Sequence, residues 1–219
     1  MKSYLLTLLL LCLSLTAGAQ HWQFKVGGGF SQLTPDTDPV GTWTIGVGYE
    51  WEFDQHWTFI PQLQFGGRGW ELPNERVFKK DDGGNVLVNP ESGEPLMGWK
   101  NTTATAYYLE LPLLFNYYLR MAERQYVLLT AGPYLAYGVG GTVKVKGDTD
   151  RSGAERMYYD YSTFSGSGFH RFDAGARVGI GYQFANGIAA AIEVSHAFTE
   201  IYSGAHNATL QLTLSYLFR

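Results

Sequence analysis

In the stretch Arg171-Phe172-Asp173-Ala174-Gly175-Ala176-Arg177-Val178-Gly179-Ile180-Gly181-Tyr182-Gln183-Phe184, every even position is apolar or aromatic, and every odd one is charged, glycine or glutamine. A repeat of two puts those sets on opposite faces of a strand. Ala185-Asn186-Gly187 is a tight-turn sequence, after which Ile188, Ala190, Ile192 and Val194 resume the apolar row with Glu193 and Ser195 between them. The pair reads as a hairpin. With Phe184 opposite Ile188, Gly179 faces Glu193 and Arg177 faces Ser195, so Arg177 and Glu193 are diagonal neighbours within reach of each other. Beyond Ser203-Gly204 the row returns as Leu210, Leu212, Leu214, Tyr216 and Phe218, alternating with Thr209, Gln211, Thr213 and Ser215.

Working outward from this hairpin, the same alternation predicts eight strands, at 22–32, 40–53, 57–70, 101–118, 125–146, 169–184, 188–202 and 207–219. Their connections differ in length. Asp54-Gln55-His56, Arg120 to Arg124 and Ala185-Asn186-Gly187 are short; Leu33 to Pro39, Glu71 to Lys100 and Gly147 to Gly168 are long and fall at the opposite end. The seventh connection is short although it lies at the long-loop end. This asymmetry is that of an eight-stranded antiparallel up-and-down transmembrane β-barrel with long extracellular loops and both termini in the periplasm.

The N-terminus fits that compartment. Lys2, an apolar run from Tyr4 to Leu15 and the small-residue site Ala17-Gly18-Ala19 predict a signal peptide over 1–19, leaving a barrel domain over 20–219. Cys12, the only cysteine, lies inside the apolar run, so the mature chain would have no thiol, disulfide or lipid anchor. Without Lys2, 15 basic side chains face 20 acidic ones, and no basic cluster suggests nucleic-acid binding. No segment after residue 20 is apolar for the 18 or so residues that a helical span needs.

Alternation alone does not say which row faces inward. A soluble eight-stranded barrel would turn the apolar row in and clothe its outside with polar side chains. Here the polar row holds Gly27, Gly29, Gly46, Gly48, Gly66, Gly175, Gly179 and Gly181 with isolated charges, which suits a crowded lumen. The other row is wide and aromatic, a surface that hydrocarbon accepts and water does not. Aromatic girdles are expected from Trp51, Trp57, Tyr182, Phe184, Tyr216 and Phe218 at the short-turn end, and from Trp43 and Trp70 at the other.

Tyr108-Leu109-Glu110-Leu111-Pro112-Leu113-Leu114-Phe115, Asp173-Ala174-Gly175 with Gly179-Ile180-Gly181-Tyr182, and the ending Tyr216-Leu217-Phe218 resemble the PorT-like outer-membrane β-barrel family. The resemblance implies an OmpA-type eight-stranded barrel inserted by the outer-membrane assembly machinery through its C-terminal aromatic strand. Arg219 departs from an aromatic-final ending. One relative belongs to a protein-secretion machine, a role that fold alone does not transfer.

With the polar row inside, Lys25, Arg68, Arg171 and Arg177 face Glu50, Glu52, Glu110, Asp173 and Glu193. Eight strands enclose just enough room for side chains, so these charges are expected to form a paired ionic core rather than line a pore. No enzymatic activity and no cofactor are expected. Ser195 and His196 are adjacent in a strand and point to opposite faces, and the other histidines, His21, His56, His170 and His206, are scattered. The expected partners are outer-membrane lipid and lipopolysaccharide. A protein partner is expected at the long loops, which as loops on a rigid scaffold are the place for specific function. Phe78 to Val88 reads as a turn between two alternating runs, and Met157, Tyr158, Tyr159, Tyr161 and Phe164 as an aromatic cluster suited to gripping a partner or glycan. Asp148, Asp150 and Ser152 match the opening of a calcium loop, but Tyr159 stands where the bidentate glutamate belongs, so no metal is expected.

Overall fold

The computed structural model describes residues 20–35, 37–150, 156–165 and 168–218. Residues 1–19, which the sequence reads as a signal peptide and which include Cys12, lie outside them, as do Ser152 and Arg219. Among the described residues nine strands run in order: β1 (Gln20–Thr34), β2 (Asp38–Glu52), β3 (Trp57–Phe78), β4 (Met97–Ala122), β5 (Gln125–Asp148), β6 (Arg156–Ser162), β7 (Phe172–Gln183), β8 (Ile188–Ala197) and β9 (His206–Phe218). Eight of them close a ring. β1 pairs with β2 on one side and β9 on the other, and β5 joins β4 to β7, every pairing antiparallel. Closure removes the free edges that a sheet would otherwise present, so backbone groups within the wall are satisfied without water.

The β7–β8 hairpin has the register that its sequence predicts, with Gly179 opposite Glu193 and Arg177 opposite Ser195. Its turn depends on Gly187 at φ +86°, where a side chain would be strained. At another short turn the Asp54 carboxylate accepts the N–H groups of His56 and Trp57 at 2.7 and 2.8 Å. Those bonds favour the charged form and hold its carboxyl below the usual carboxylate range.

The apolar rows face outward. Ile180 and Leu212 are 56% and 60% exposed, and Phe24, Ile45, Leu63, Leu109, Leu129 and Val194 share that outer surface. On β4 the outer row runs Tyr117, Phe115, Leu113, Leu111, Leu109, Tyr107 and then turns polar at Thr105, Thr103 and Asn101. The ten residue steps from Tyr107 to Tyr117 at the usual rise, tilted by about 45°, make a belt about 23 Å tall, which matches a bilayer's hydrocarbon.

At the long-loop end the strands outrun the sequence reading. β3 continues to Phe78 and β4 starts at Met97, so the third connection shortens to a hairpin tip held by the bridges Lys80–Val86 and Val88–Pro95. A ninth strand, β6, lies inside what reads as a loop in sequence. β7 pairs with β5 only as far as Tyr137, and β6 takes the same edge of β5 over residues 142–147. β8 stops at Ala197 rather than 202. There Thr199 accepts the Ala174 N–H at 2.9 Å, and Ser203 and Gly204 turn the chain with positive φ.

An arginine on the outer face tests this orientation. Ile180→Arg, at mid-belt, should lower unfolding free energy by about 2–4 kcal/mol, and Thr103→Arg, above the belt, by about 1 kcal/mol or less. Urea titrations of the protein in lipid vesicles, followed by tryptophan fluorescence, measure both.

Candidate functional site

The inner rows fill the barrel in layers. Nearest the short turns, buried Glu50 accepts the Tyr118 hydroxyl at 2.5 Å. Next comes a row of amides in which Gln62 donates to Gln23 at 2.8 Å and Gln64 donates to Gln62 at 2.5 Å.

Above the amides lies a continuous chain of charges supplied by five strands. Lys25 of β1 meets Glu193 of β8, which lies 3.6 Å from Arg177 of β7. Arg177 donates to Glu110 of β4 and to Gln64, both at 2.9 Å. Glu110 also takes Arg68 of β3 at 2.5 Å, and Arg68 reaches Asp173 of β7. Asp173 further accepts Asn207 and Thr199, each at 3.1 Å. Three cations meet three anions, and each of the six is buried. The Arg68 guanidinium also lies over Tyr108 at 4.9 Å and Tyr134 at 5.2 Å, contacts that a dry interior strengthens.

An apolar stack closes the barrel over these charges. Tyr108, Tyr134, Ala106, Ala136, Trp70, Ile201 and Phe164 form one buried cluster. Phe164 enters from the segment after β6, whose Thr163 donates its hydroxyl to the Thr105 carbonyl at 2.6 Å and its N–H to that of Gly141 at 3.2 Å. The ring fits because position 138 is glycine: a Cβ there would stand 2.2 Å from it. Arg171 covers the ring at 5.0 Å.

Beyond the stack, at the long-loop mouth, opens a cavity of about 1030 Å³. Its walls are Trp70, Ala104, Val143 and Val145 with Tyr159 and Tyr161 of β6, and Leu33, Phe169, Tyr202 and Ala205 close the far side. Val145 pairs with Tyr159 and Val143 with Tyr161, so β6 lays its tyrosines on the same face as the inward valines of β5.

Six of the nine charged residues assigned to the lumen from sequence thus form the chain, and Glu50 is buried in a separate bond. Glu52 and Arg171 need correction. Glu52 ends β2 and is exposed, lining a recess at the short-turn rim with His21, Asp54 and His56. Arg171 precedes the first residue of β7, is exposed, and donates to the Gly138 carbonyl at 2.9 Å. Of the girdle residues, Trp43, Trp57, Tyr182, Phe184, Tyr216 and Phe218 lie on the outer face, and Trp51 is half-buried beside Tyr49 and Phe59. Trp70 is also a correction, because at 3% exposure it points inward. It lies two residues from Arg68 and therefore on the same face, a parity already legible in the sequence.

Ser195 is buried against Thr209 at 2.5 Å, and His196 stacks on His206 on the other face. Asp148 holds Lys79 at 2.6 Å and Asp150 holds Arg156 at 3.2 Å, so both acidic residues of the calcium-like segment face cations. The cavity was missed in sequence. Its one signal is the alternation of Met157, Tyr159 and Tyr161, which marks a strand.

A family profile described as "Outer membrane protein beta-barrel domain" matches residues 18–203. No curated protein matches the chain. Among solved structures it is similar to Ail, the attachment invasion locus protein of Yersinia pestis, in complex with the heparin analogue sucrose octasulfate, at 15% identity and a TM-score of 0.40, over 91% of this chain and 99% of that one. It is also similar to Neisserial surface protein A (7%, 0.42, 91% and 97%) and to the outer membrane enzyme PagL (12%, 0.41, 89% and 98%).

The charge chain makes a testable demand, because removing one partner strands a buried charge. Arg177→Ala should cost about 3–5 kcal/mol of stability, and adding Glu110→Gln and Glu193→Gln should return part of that loss. Urea unfolding of the single and triple variants in lipid vesicles gives both numbers.

Proposed function

The chain belongs to the outer membrane protein β-barrel domain family, matched over residues 18–203, and from that premise we propose that it is a plugged barrel that works by binding rather than by conduction or catalysis. Its place is the outer membrane, as an integral protein. In this reading the long-loop end faces outward, both termini face the periplasm, and the working surface is the mouth. Outer-leaflet lipid and lipopolysaccharide surround the belt, and the assembly machinery takes the barrel through the aromatic strand β9.

The observation that carries the reading is where the chain spends its extra length. A membrane strand needs only about 9–11 residues. β3, β4 and β5 have 22, 26 and 24, while β7 and β8 have 12 and 10. One side of the cylinder therefore rises past the belt as a curved wall carrying the hairpin tip 79–96 and β6. The lumen beneath it holds an ion-paired layer and an apolar stack, a filling that supports binding over transport.

The resemblance to PorT-like barrels supports a more specific version, in which the wall docks onto a protein-secretion machine of the outer membrane. Co-purification separates the versions. A defined multi-protein complex favours the machine, and a barrel bound to a single partner favours a free-standing interaction protein.

Two results are expected. The wild-type protein in planar bilayers should give no stable nanosiemens conductance; a steady open channel would contradict the plug. Replacing 79–96 with a short Asn-Gly turn should leave the barrel folded but lose the co-purifying partner; full retention would move docking elsewhere.

A further inference from the structure

We infer that the mouth cavity is a binding site for a single-chain anionic amphiphile, a fatty-acid-like carboxylate whose chain lies among the apolar walls. The inference rests on the reading of the long-loop end as the working face and names what that face takes. The cavity's size, about 1030 Å³, is at the upper end of the range of about 300–1,000 Å³ usual for small-molecule sites. Its floor is closed: Trp70, Ala104, Val143 and Leu33 belong to the buried stack, so a ligand enters from the mouth and goes no deeper.

The lining chooses the chemistry. Leu33, Leu72, Ala104, Val143, Val145 and Ala205 offer aliphatic surface. Three of the lining rings are already engaged with one another, since Phe169 stacks on Tyr202 at 4.6 Å and packs against Trp70 at 5.2 Å, while Tyr159 and Tyr161 flank the aliphatic wall of β5. A flexible chain can follow that mixed wall along its length. Among the described residues the lining holds one charge, Lys100, and no carboxylate. Lys100 sits at the rim, 40% exposed along its side chain, in a loose pair 3.6 Å from the still more exposed Glu75. Such a pair is worth little in water. The ammonium can therefore turn to an entering carboxylate, and Thr102, two residues further along the same strand, lines the same wall.

The walls on β3, β4 and β5 are hydrogen-bonded to one another up to this height. Through these three strands no chain can pass sideways from a bilayer lipid, and the inferred route is from the aqueous side. That distinction decides between a free amphiphile and the acyl chain of an outer-leaflet lipid.

The test uses the folded barrel in phosphatidylcholine nanodiscs, free of detergent, titrated with 11-(dansylamino)undecanoate against empty discs. Saturable binding at one site per barrel, displaced by dodecanoate, is expected. Thr102→Trp, which fills the cavity, and Ala205→Trp, which fills it from a loop outside the ring, should each weaken binding about tenfold or more. Lys100→Gln should weaken dodecanoate about fivefold and leave dodecanol unchanged. A signal no greater than that of empty discs, or full binding in both tryptophan variants with the barrel folded, overturns the site. Binding that needs lipid acyl chains in the disc and ignores dodecanoate assigns the cavity to membrane lipid and overturns the free-amphiphile inference. A non-conducting barrel that keeps its protein partner but binds no dansyl probe refutes the cavity alone, whereas an open channel refutes the plugged-barrel reading itself.

Discussion

The fold depends on a constraint set by hydrocarbon: no backbone group and no charge can be left facing it unpaired. Closing the ring through β1–β9 satisfies the backbone. Turning every large apolar row outward then leaves the small and charged residues with one place to go. In a lumen of eight strands they are pressed against one another and must be mutually satisfied, and the Lys25–Glu193–Arg177–Glu110–Arg68–Asp173 chain is how this sequence does so. The outer and inner surfaces are thus consequences of the same requirement.

The charge chain also fixes the position of everything above it. Arg68 and Asp173 hold β3 against β7 across the lumen, and the rings of Tyr108 and Tyr134 rest on Arg68. On that platform the apolar stack of Trp70, Ile201 and Phe164 can assemble, and the stack in turn is the floor of the mouth cavity. The order of layers, from ionic to apolar to open, separates a rigid base from an elaborated rim. Loops and strand extensions can diversify there without touching the ring, as is usual where function is grafted on a rigid scaffold.

Much of this was legible in the sequence because a period of two is a local signal. The β7–β8 register followed from Phe184, Asn186-Gly187 and Ile188 alone, and with it the approach of Arg177 to Glu193. Parity also held the correct answer for Trp70, whose spacing from Arg68 places it inside. What was not legible depends on which strand ends where. Glu52 and Arg171 sit at strand termini, where alternation continues in the sequence after the lumen has ended. β6 takes the edge of β5 beyond the reach of β7, whose pairing ends at Phe172, an arrangement that appears only once all the strands are aligned. The cavity is one step further removed, since it needs β6, the far loops and the stack together.

The two rows face two different media, and nitroxide accessibility in lipid nanodiscs tells those media apart. Spin labels would be placed at Leu212→Cys and Gln211→Cys, adjacent residues on β9. The label at 212 should collide freely with oxygen and be shielded from a water-soluble nickel chelate. The label at 211 should be shielded from both or perturb the packed interior. A chelate-accessible label at 212, with oxygen-rich surroundings at 211, would contradict that orientation.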